Sequence, residues 1–306
     1  MRPIRVNADY DEVLAGSGPR PLQVRAIECL AFWVQDAPVA VEGNYDEAFL
    51  IHVAHHSGRM PRQVKTADAE NWWGALADIP LERALNSKVW ARDWWSARHV
   101  YEGGVAYDEN ELAALFARAG SGPLLIKRAQ GMAGRGHRVV APGTWEAERG
   151  RVLPWLAEGV VAEPLYQRTL DLSALWLPEE NRFVYYRTDV DARFQWRGCH
   201  VSVNGLPDFG PEREAALAPW REQLTDLARE IHRRGYAGPF SVDAFFHLRD
   251  GEEFFYPCSE VNARKTMGWI AYHMARQWGR PGLLSAAGAG LELTPPGAPF
   301  AWTWRD

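Results

Sequence analysis

The chain has 306 residues, of which 47% are hydrophobic and 24% charged, and its formal net charge at pH 7 is −5, with a pI near 6.0. This acidic balance disfavours non-specific binding to nucleic acid, and no apolar run approaches the roughly 20 residues that a membrane-spanning helix needs. The sequence therefore predicts a soluble protein of two or three packed lobes, since one domain usually takes about 100 to 200 residues. The first residues lack the apolar core of a secretory signal, so the cytoplasm is the expected location.

The cysteines and most of the tryptophans are expected inside the protein. Cys29, Cys199 and Cys258 are isolated and odd in number, which argues against a disulfide framework and a paired-cysteine metal site. The chain also has 15 tryptophans, and the large indole ring belongs chiefly in cores and interfaces.

Residues 1–85 predict a small N-terminal α/β lobe. They contain one apolar strand candidate at 38–41 and a helix at 46–56. His52, His55 and His56 share that helix at a spacing that could bind zinc. The glutamate of a His-Glu-x-x-His motif is absent, so an ordinary amphipathic helix is the favoured interpretation.

Lysine is rare, since the 34 basic residues include only four lysines, Lys65, Lys88, Lys127 and Lys265. A compact ammonium suits a single phosphate oxygen, whereas the guanidinium fork suits bidentate pairing. Lys88 stands at the start of a predicted helix at 89–99, whose first N–H groups Asn86 or Ser87 can cap.

A glycine-rich loop follows a strand that ends in a lysine. Apolar residues at 124–126 lead to Lys127, and the loop at 131–136 reads Gly-Met-Ala-Gly-Arg-Gly. Glycines let backbone N–H groups approach an anion closely, so the pattern predicts a phosphate cradle. A strand end with an ordinary turn is the alternative. A strand at 137–140 completes a hairpin whose tip could close over a ligand.

The rest of the pattern indicates a sheet-rich centre and a long helix. Further elements are expected as a helix at 108–119, strands at 160–165, 170–177 and 182–187, and a helix at 211–234. Asp108 is the expected cap of the first of these helices, and Gly235 ends the last. The last fifteen residues are rich in proline and glycine and are expected to form a loosely packed tail.

The densest polar pattern lies on two adjacent strands joined by an Asp-Gly turn at 250–251. Period-two alternation puts Glu260 and Asn262 on one face, and Arg264 continues that line. The hairpin places Asp243 beside them. Two carboxylates and an amide oxygen form a ligand set for Mg²⁺. A polar strand face paired with Arg264 is the alternative.

Taken in order, these motifs resemble the ATP-grasp superfamily, the carboxylate–amine ligases and their relatives. The likeness covers residues 86–275. It rests on an Asn-Ser-Lys helix start, a strand lysine with a glycine loop, a strand ending in Glu-Pro-Leu, a Gly-Tyr-x-Gly-x-x-x-x-Asp strand and a Glu-x-Asn-x-Arg strand. The resemblance implies an α/β (α+β) fold in which two α+β lobes clamp ATP. The implied segments are an N-terminal lobe at 1–85, a small lobe with the glycine loop at 86–165 and a C-terminal lobe with the metal site at 166–306.

The resemblance also implies roles for individual residues. The implied ATP contacts are Lys88, Lys127, Gln130, Gly131, Gly134 and Gly136 at the phosphates, Glu163 and the backbone through Leu165 at adenine, and Asp171 at the ribose. The implied magnesium ligands are Asp243, Glu260 and Asn262. Arg264 would neutralise the transferring phosphate or bind the substrate carboxylate, for which a guanidinium fork is suited.

The implied reaction is phosphorylation of a carboxylate by ATP to an acyl phosphate, which an amine then attacks. Arg193 and Arg197 are candidates for gripping the acceptor carboxylate, or else ordinary edge-strand charges. Trp196 and Trp269, near the expected site, indicate an aromatic or bulky substrate.

The implied partners are a small-molecule carboxylate and amine, with an amino acid or peptide favoured, and a homodimer is a further expectation. Two alternatives stay open. One is a nucleotide-binding regulatory protein without turnover, and the other is an ATP-dependent phosphotransferase on the same fold.

Overall fold

A computed structural model describes residues 1–18, 20–131, 136–141, 143–298 and 300–306. Its helices are α1 (Tyr10–Leu14), α2 (Pro21–Val34), α3 (Glu47–Ser57), α4 (Ile79–Leu85), α5 (Lys88–Ser96), α6 (Glu109–Ala119), α7 (Trp145–Val152), α8 (Pro211–Arg233) and α9 (Met267–Trp278), with a 3₁₀ helix at Leu153–Glu158. Within the described residues, none of these helices combines the length and apolar character needed to cross a bilayer.

The predicted helix starts are confirmed by their capping contacts. The side chain of Ser87 accepts a hydrogen bond from the backbone N–H of Trp90 at 3.4 Å, and Asp108 accepts one from Glu111 at 2.8 Å. These bonds satisfy N–H groups that have no partner inside the helix. The start of α5 matters most, because it places Lys88 at a defined position.

The first sheet is parallel and has the order β3-β2-β1-β4. Its strands are β1 (Ile4–Arg5), β2 (Val39–Ala40), β3 (Gln63–Val64) and β4 (Glu70–Asn71). The sequence predicted only the second of these strands. A strand of two residues is too short to display the alternation on which a prediction depends.

The second sheet is antiparallel and has the order β5-β8-β6-β7. Its strands are β5 (Gly104–Ala106), β6 (Leu124–Arg128), β7 (His137–Val140) and β8 (Val160–Pro164). Leu124 and Ile126 point into a small core, which Leu112 and Leu115 of α6 complete. Lys127 follows Ile126 directly and therefore points to the opposite face.

The third sheet is antiparallel and has the order β13-β12-β9-β10-β11-β14-β16-β15. Its strands are β9 (Gln167–Leu177), β10 (Arg182–Val190), β11 (Trp196–Val201), β12 (Phe240–Arg249), β13 (Glu252–Asn262), β14 (Gly282–Ser285), β15 (Leu291–Glu292) and β16 (Thr303–Arg305). Each of the three predicted segments contains one sheet, while their boundaries stay a prediction.

Both faces of the third sheet are covered. Trp176 and other residues of one face pack with Leu224 and Leu227 of α8. Leu175, on the opposite face, packs in a second core with Ile270 and Met274 of α9. Burial on both sides explains why β9 reads as a nearly continuous apolar run.

The expectation of a loosely packed C-terminal tail was wrong. β16 pairs with β14 and β15, and Trp304 is only 1% exposed. The indole N–H of Trp302 donates to the carbonyl oxygen of Ala26 in α2. Two tryptophans bury enough apolar area to order a segment whose prolines and glycines suggested otherwise.

The remaining structural predictions concern cysteine and histidine. All three cysteines are buried free thiols, as predicted. His52, His55 and His56 lie on α3, and the ring of His52 contacts the carbonyl oxygen of Glu292 at 2.9 Å. Among the described residues, no group of three His, Cys, Asp or Glu side chains is arranged to hold a metal ion. The amphipathic-helix interpretation of these histidines stays a prediction.

Candidate functional site

A cleft of about 770 Å³ lies between the second and third sheets. Residues of the first lobe and of the C-terminal segment also line it, among them Ile27 and Trp302. This volume is typical of a pocket that encloses a small-molecule ligand. Most of the predicted site residues lie along this cleft.

The predicted metal-binding side chains converge at the cleft wall. Asp243 on β12 lies directly opposite Glu260 on β13, as the hairpin predicted. The amide nitrogen of Asn262 is 3.0 Å from Asp243 Oδ2 and 3.5 Å from Glu260 Oε1. The hydroxyl of Ser173, on β9, donates to Asp243 Oδ1 at 2.6 Å.

The two carboxylates differ in charge state. Burial, followed by the charge of Glu260, raises the pKa of Asp243 to about 7. Burial also opposes ionisation of Glu260, but the charge and hydrogen bond of Lys88 outweigh it and lower the pKa of Glu260 to about 2. The Lys88 Nζ atom is 2.7 Å from Glu260 Oε2. The pair thus carries one firm negative charge and a second carboxyl that a nearby cation would ionise.

Lys88 connects the carboxylate pair to the glycine loop. Its Nζ donates to the carbonyl oxygen of Gly131 at 2.6 Å, and its backbone N–H donates to Ala129 at 3.0 Å. It lines the cleft although its side chain is only 9% exposed. The ammonium therefore stands between an acidic side chain and the first glycine of the loop.

The second strand lysine, Lys127, belongs to a buried cluster. Its Nζ is 2.7 Å from Glu163 Oε1, and Arg92 Nη2 is 2.8 Å from Glu163 Oε2. The hydroxyl of Tyr256 donates to the same carboxylate. Burial opposes ionisation of Glu163, but Lys127 and Arg92 outweigh it and lower the pKa of that carboxyl.

Arg264 lines the cleft beside the carboxylate pair. Its Nε lies 2.7 Å from Asp11 Oδ2, Nη2 donates to Asn262 Oδ1 at 3.1 Å, and Nη1 donates to the carbonyl oxygen of Lys265 at 3.0 Å. A guanidinium has five N–H groups, so these contacts leave two for a ligand.

The glycine loop is only partly inside the described residues. Gly131 lines the cleft, whereas Gln130 is buried and donates from Nε2 to the carbonyl oxygen of Arg83 at 2.9 Å. Gly136 has φ 85°, and a Cβ there would lie 2.5 Å from the side chain of Arg128, so this position requires glycine. Gly134 lies outside the described residues.

The residues predicted to contact adenine and the residue predicted to contact the ribose differ in their position relative to the cleft. Glu163 is fully buried, and the described cleft lining does not include it. The backbone N–H of Leu165 donates to the carbonyl oxygen of Pro123 at 3.0 Å. Asp171 does line the cleft, 2.7 Å from Arg168, and burial raises its pKa although Arg168 opposes this.

Arg193 is not brought to the cleft. Its side chain is exposed, and the neighbouring Phe194 and Gln195 form the described wall instead. Arg197 forms an ion pair with Asp191 at 2.5 Å. Arg193 lies in the turn between β10 and β11, and Arg197 lies on β11, which pairs with both β10 and β14, so neither is on an edge strand. Their role in gripping a carboxylate stays a prediction.

Three contributors to the site were not predicted from the sequence. Ser173 could have been found, because it lies two residues after Asp171 and so shares its face of β9. Arg92 and Asp11 carried no local signal, since their partners Glu163 and Arg264 are distant in sequence.

Comparison with known proteins found matches among solved structures alone: no family model matches the chain, and no curated protein matches it in sequence. Phosphoribosylamine–glycine ligase from Thermotoga maritima has a TM-score of 0.55 at 18% identity, over 98% of this chain and 82% of that one. N5-carboxyaminoimidazole synthetase from Staphylococcus aureus, complexed with ADP, has a TM-score of 0.50 at 11% identity, over 94% and 82%.

Biotin carboxylase from Campylobacter jejuni, in a beta-gamma-ATP complex, has a TM-score of 0.50 at 14% identity, over 93% of this chain and 75% of that one. Identities this low establish a shared architecture. The two-lobed arrangement around a cleft, the order of its motifs and these structural matches together show that the chain has the ATP-grasp fold.

Proposed function

We propose that this protein is an ATP-dependent ligase that joins a carboxylate to an amine through an acyl phosphate. The observation that carries the proposal is a cleft that is lined both by cations and by a carboxylate pair. Lys88, Lys127 and Arg264 line it together with Asp243 and Glu260. Cations beside carboxylates suit a phosphate chain that carries a divalent cation.

The proposed nucleotide position follows from the cleft lining. Lys88, Lys127 and the backbone at Gly131 would hold the phosphates, and Asp171 would hold the ribose. The Glu163 carboxylate already has Lys127, Arg92 and Tyr256 as partners. Adenine contacts would therefore come from the backbone that leads from Glu163 to Leu165.

The residues present fit magnesium. Asp243, Glu260 and Asn262 gather oxygen-bearing side chains around one point, and a divalent cation there would lower the pKa of Asp243, which burial and the charge of Glu260 raise to about 7. The amide nitrogen of Asn262 faces the carboxylates, and a half-turn of the amide would present the oxygen instead, at the loss of the hydrogen bond that this oxygen accepts from Arg264. Bound magnesium would neutralise charge on the phosphates.

The chain's own residues would position and neutralise the reactants. The γ-phosphate would pass to the substrate carboxylate, ADP would leave, and the amine would then displace phosphate from the acyl carbon. The two remaining N–H groups of Arg264 would hold the transferring phosphate or the carboxylate, and Asp11 would fix the guanidinium. Such chemistry needs placed cations and no covalent protein nucleophile.

The proposal extends to the substrates and the location of the reaction. The substrates would be a small-molecule carboxylate and amine, such as an amino acid or peptide, and the reaction would take place in the cytoplasm. A homodimer stays a prediction.

Calorimetry of Mg·ATP binding tests the nucleotide site. We expect magnesium-dependent binding by the wild type and at least tenfold weaker binding by Glu260→Gln and Lys127→Met, with folding checked by circular dichroism. Lys65→Met is the matched control, because Lys65 is exposed and contacts the carbonyl oxygens of Glu42 and Gly43. Absence of ATP binding by the wild type would remove the proposal.

Hydroxylamine trapping tests the reaction. An acyl phosphate reacts with hydroxylamine to give a hydroxamate, so a ligase supplied with its acid should form one together with ADP. A phosphotransferase would instead release ADP with a stable phosphorylated product, and a regulatory binder would release no ADP.

A further inference from the structure

One wall of the cleft is apolar and is assembled from distant parts of the chain. It contains Ile27 of α2, Trp196 of β11, Met267 of α9 and Trp302 of the C-terminal segment. The ring centroids of Trp196 and Trp302 are 5.7 Å apart. The indole N–H of Trp302 is satisfied by the carbonyl oxygen of Ala26, so its ring presents an apolar surface. Trp196 and Met267 pack against the buried core to which Ile27 and Trp302 belong, and these four cleft-lining side chains are here named the tryptophan wall.

The tryptophan wall adjoins the proposed reaction centre. The Arg264 guanidinium lies 5.7 Å from the ring centre of Trp73, which also lines the cleft, and donates to Asn262 at 3.1 Å. Met267 follows Arg264 by three residues and begins α9. Arg264 and Met267 both line the cleft, so we expect a ligand body on the tryptophan wall to direct its polar end toward Arg264.

The backbone next to the wall is kept small. Gly268, the second residue of α9, lines the cleft, and a Cβ there would lie 2.0 Å from the ring of Tyr186. Tyr186 is only 4% exposed, and its hydroxyl is 3.4 Å from that of Thr266. The floor beside the wall is thus formed by an aromatic ring whose polar atom already has a partner.

We propose that the tryptophan wall binds the body of the carboxylate substrate, and that this substrate is an aromatic or bulky apolar carboxylic acid. The inference rests on the proposed function, because it assigns the carboxylate end to Arg264. A polar body placed there would lose hydrogen bonds to water that Ile27, Met267 and the indole rings cannot replace. An aromatic body would bury apolar area against the rings of Trp196 and Trp302.

Of the two tryptophans that the sequence associated with a bulky substrate, Trp196 alone belongs to the described cleft lining. Trp269 is buried, with its ring centre 5.6 Å from that of Trp72 and 3.9 Å from that of His273. The wall therefore depends on Trp196, which is only partly buried and packs on the core that contains Trp302, as the control residue Trp155 packs on the core of the second lobe.

Equilibrium binding of two probe acids tests the inference. Calorimetry would compare 3-phenylpropionate with succinate, each with and without magnesium and a non-hydrolysable ATP analogue. We expect 3-phenylpropionate to bind at least tenfold more tightly. Equal affinities, tighter binding of succinate, or binding of neither acid would overturn the inference.

Two tryptophan variants locate the binding. Trp196→Ala should weaken 3-phenylpropionate binding about tenfold, which corresponds to about 1.4 kcal/mol, while ATP-analogue binding is retained. Trp155→Ala is the control, because Trp155 is partly buried in the second lobe and packs on its small core. An equal loss in both variants, or no loss in Trp196→Ala, would contradict the assignment.

The binding experiment tests the substrate class and the trapping experiment tests the ligase proposal, so either proposal can fail without the other. Selective binding of the aromatic acid without hydroxamate formation from any acid would sink the ligase proposal and leave the wall as an apolar acid site. Hydroxamate formation from succinate at a higher kcat/KM than from 3-phenylpropionate would sustain the ligase and overturn the substrate class.

Discussion

Two lysine–carboxylate pairs in this protein have the same length and opposite surroundings. Lys127 and Glu163 are 2.7 Å apart in the interior, and Lys88 and Glu260 are 2.7 Å apart at the cleft. Glu163 is fully buried, whereas the side chain of Glu260 is 25% exposed. The distance alone therefore does not distinguish a structural pair from a functional one.

The additional partners make the distinction. Arg92 and Tyr256 complete the first pair, so the buried carboxylate of Glu163 already contacts two cations and a phenol; these four residues are here named the closed cluster. Asp243 joins the second pair, and burial followed by the charge of Glu260 raises its pKa to about 7; Lys88, Glu260 and Asp243 are here named the open cluster. The closed cluster is expected to stabilise the fold, and the open cluster, with two carboxyls and one lysine at the cleft, is expected to bind a cation.

The largest expected effect comes from breaking the closed cluster. Glu163→Gln leaves Lys127 and Arg92 buried without a counter-charge, which should lower the free energy of unfolding by about 3 to 5 kcal/mol. Urea denaturation at pH 7 measures it. Glu158→Gln is the matched control, because the pair of Glu158 with Arg83 is exposed and should be worth less than about 1 kcal/mol. Similar losses in both variants would show that the cluster is not structural.

Acidic pH should reduce the difference in unfolding free energy between the wild type and Glu163→Gln. The folded state lowers the pKa of Glu163 below its ordinary value of 4.5, so its ionised form stabilises the fold above pH 4.5. As the pH falls through 4.5 and then through the folded pKa, this stabilisation is lost. The difference in unfolding free energy between wild type and Glu163→Gln should therefore shrink below pH 4.5. A difference that stays constant down to pH 3 would contradict the ionised state of Glu163.

The open cluster should hold the cation of Mg·ATP, whereas the closed cluster contributes to the cleft through the Lys127 ammonium. Mg·ATP at about 100 times its Kd should raise the free energy of unfolding of the wild type by about 2.7 kcal/mol. Chelation of magnesium with EDTA should remove much of this stabilisation in the wild type. The same treatment should change the unfolding free energy of Glu260→Gln very little. A gain that survives EDTA would mean that the carboxylate pair holds no cation.

The smallest expected effect comes from Ser173, whose hydroxyl supports the open cluster by its hydrogen bond to Asp243. Ser173→Ala removes the hydrogen bond to Asp243 Oδ1 at 2.6 Å and should cost about 1 kcal/mol of stability. Its magnesium-dependent ATP affinity should fall less than in Glu260→Gln. Ser57→Ala, which loses a bond to the carbonyl oxygen of Arg59, should leave ATP affinity unchanged.

Local patterns were enough to predict the parts of the site that depend on neighbouring residues. Ser87 and Asp108 cap the helices that they were expected to cap, since capping is decided within one turn. An Asp-Gly turn joins the strands of Asp243 and Glu260, as the sequence predicted, but a bulge between Asp243 and Phe245 shifts the register of the hairpin. Without this bulge the turn would place Asp243 opposite Cys258, so the bulge is what brings the two carboxylates face to face.

The first sheet and the C-terminal segment show where local patterns fail. The strands of the first sheet are two residues long and gain their order from pairing with each other. The last residues look like a tail by composition, yet Trp302 and Trp304 bury them against the rest of the protein. In both places the stabilising contacts come from elsewhere in the chain.

The sequence by itself determined the order of motifs, the lysines at a helix start and a strand end, and the shared hairpin of Asp243 and Glu260, because each depends on local patterns. The bulge that places the two carboxylates opposite each other came only with the folded sheet. Only the tertiary structure decided which carboxylate is enclosed among buried partners, Glu163, and which lies at the cleft, Glu260. It paired Glu163 with Arg92 and Arg264 with Asp11, and it brought Ile27 and Trp302 to one wall. Such partners meet only when separate lobes pack, and burial then sets their charge and exposure.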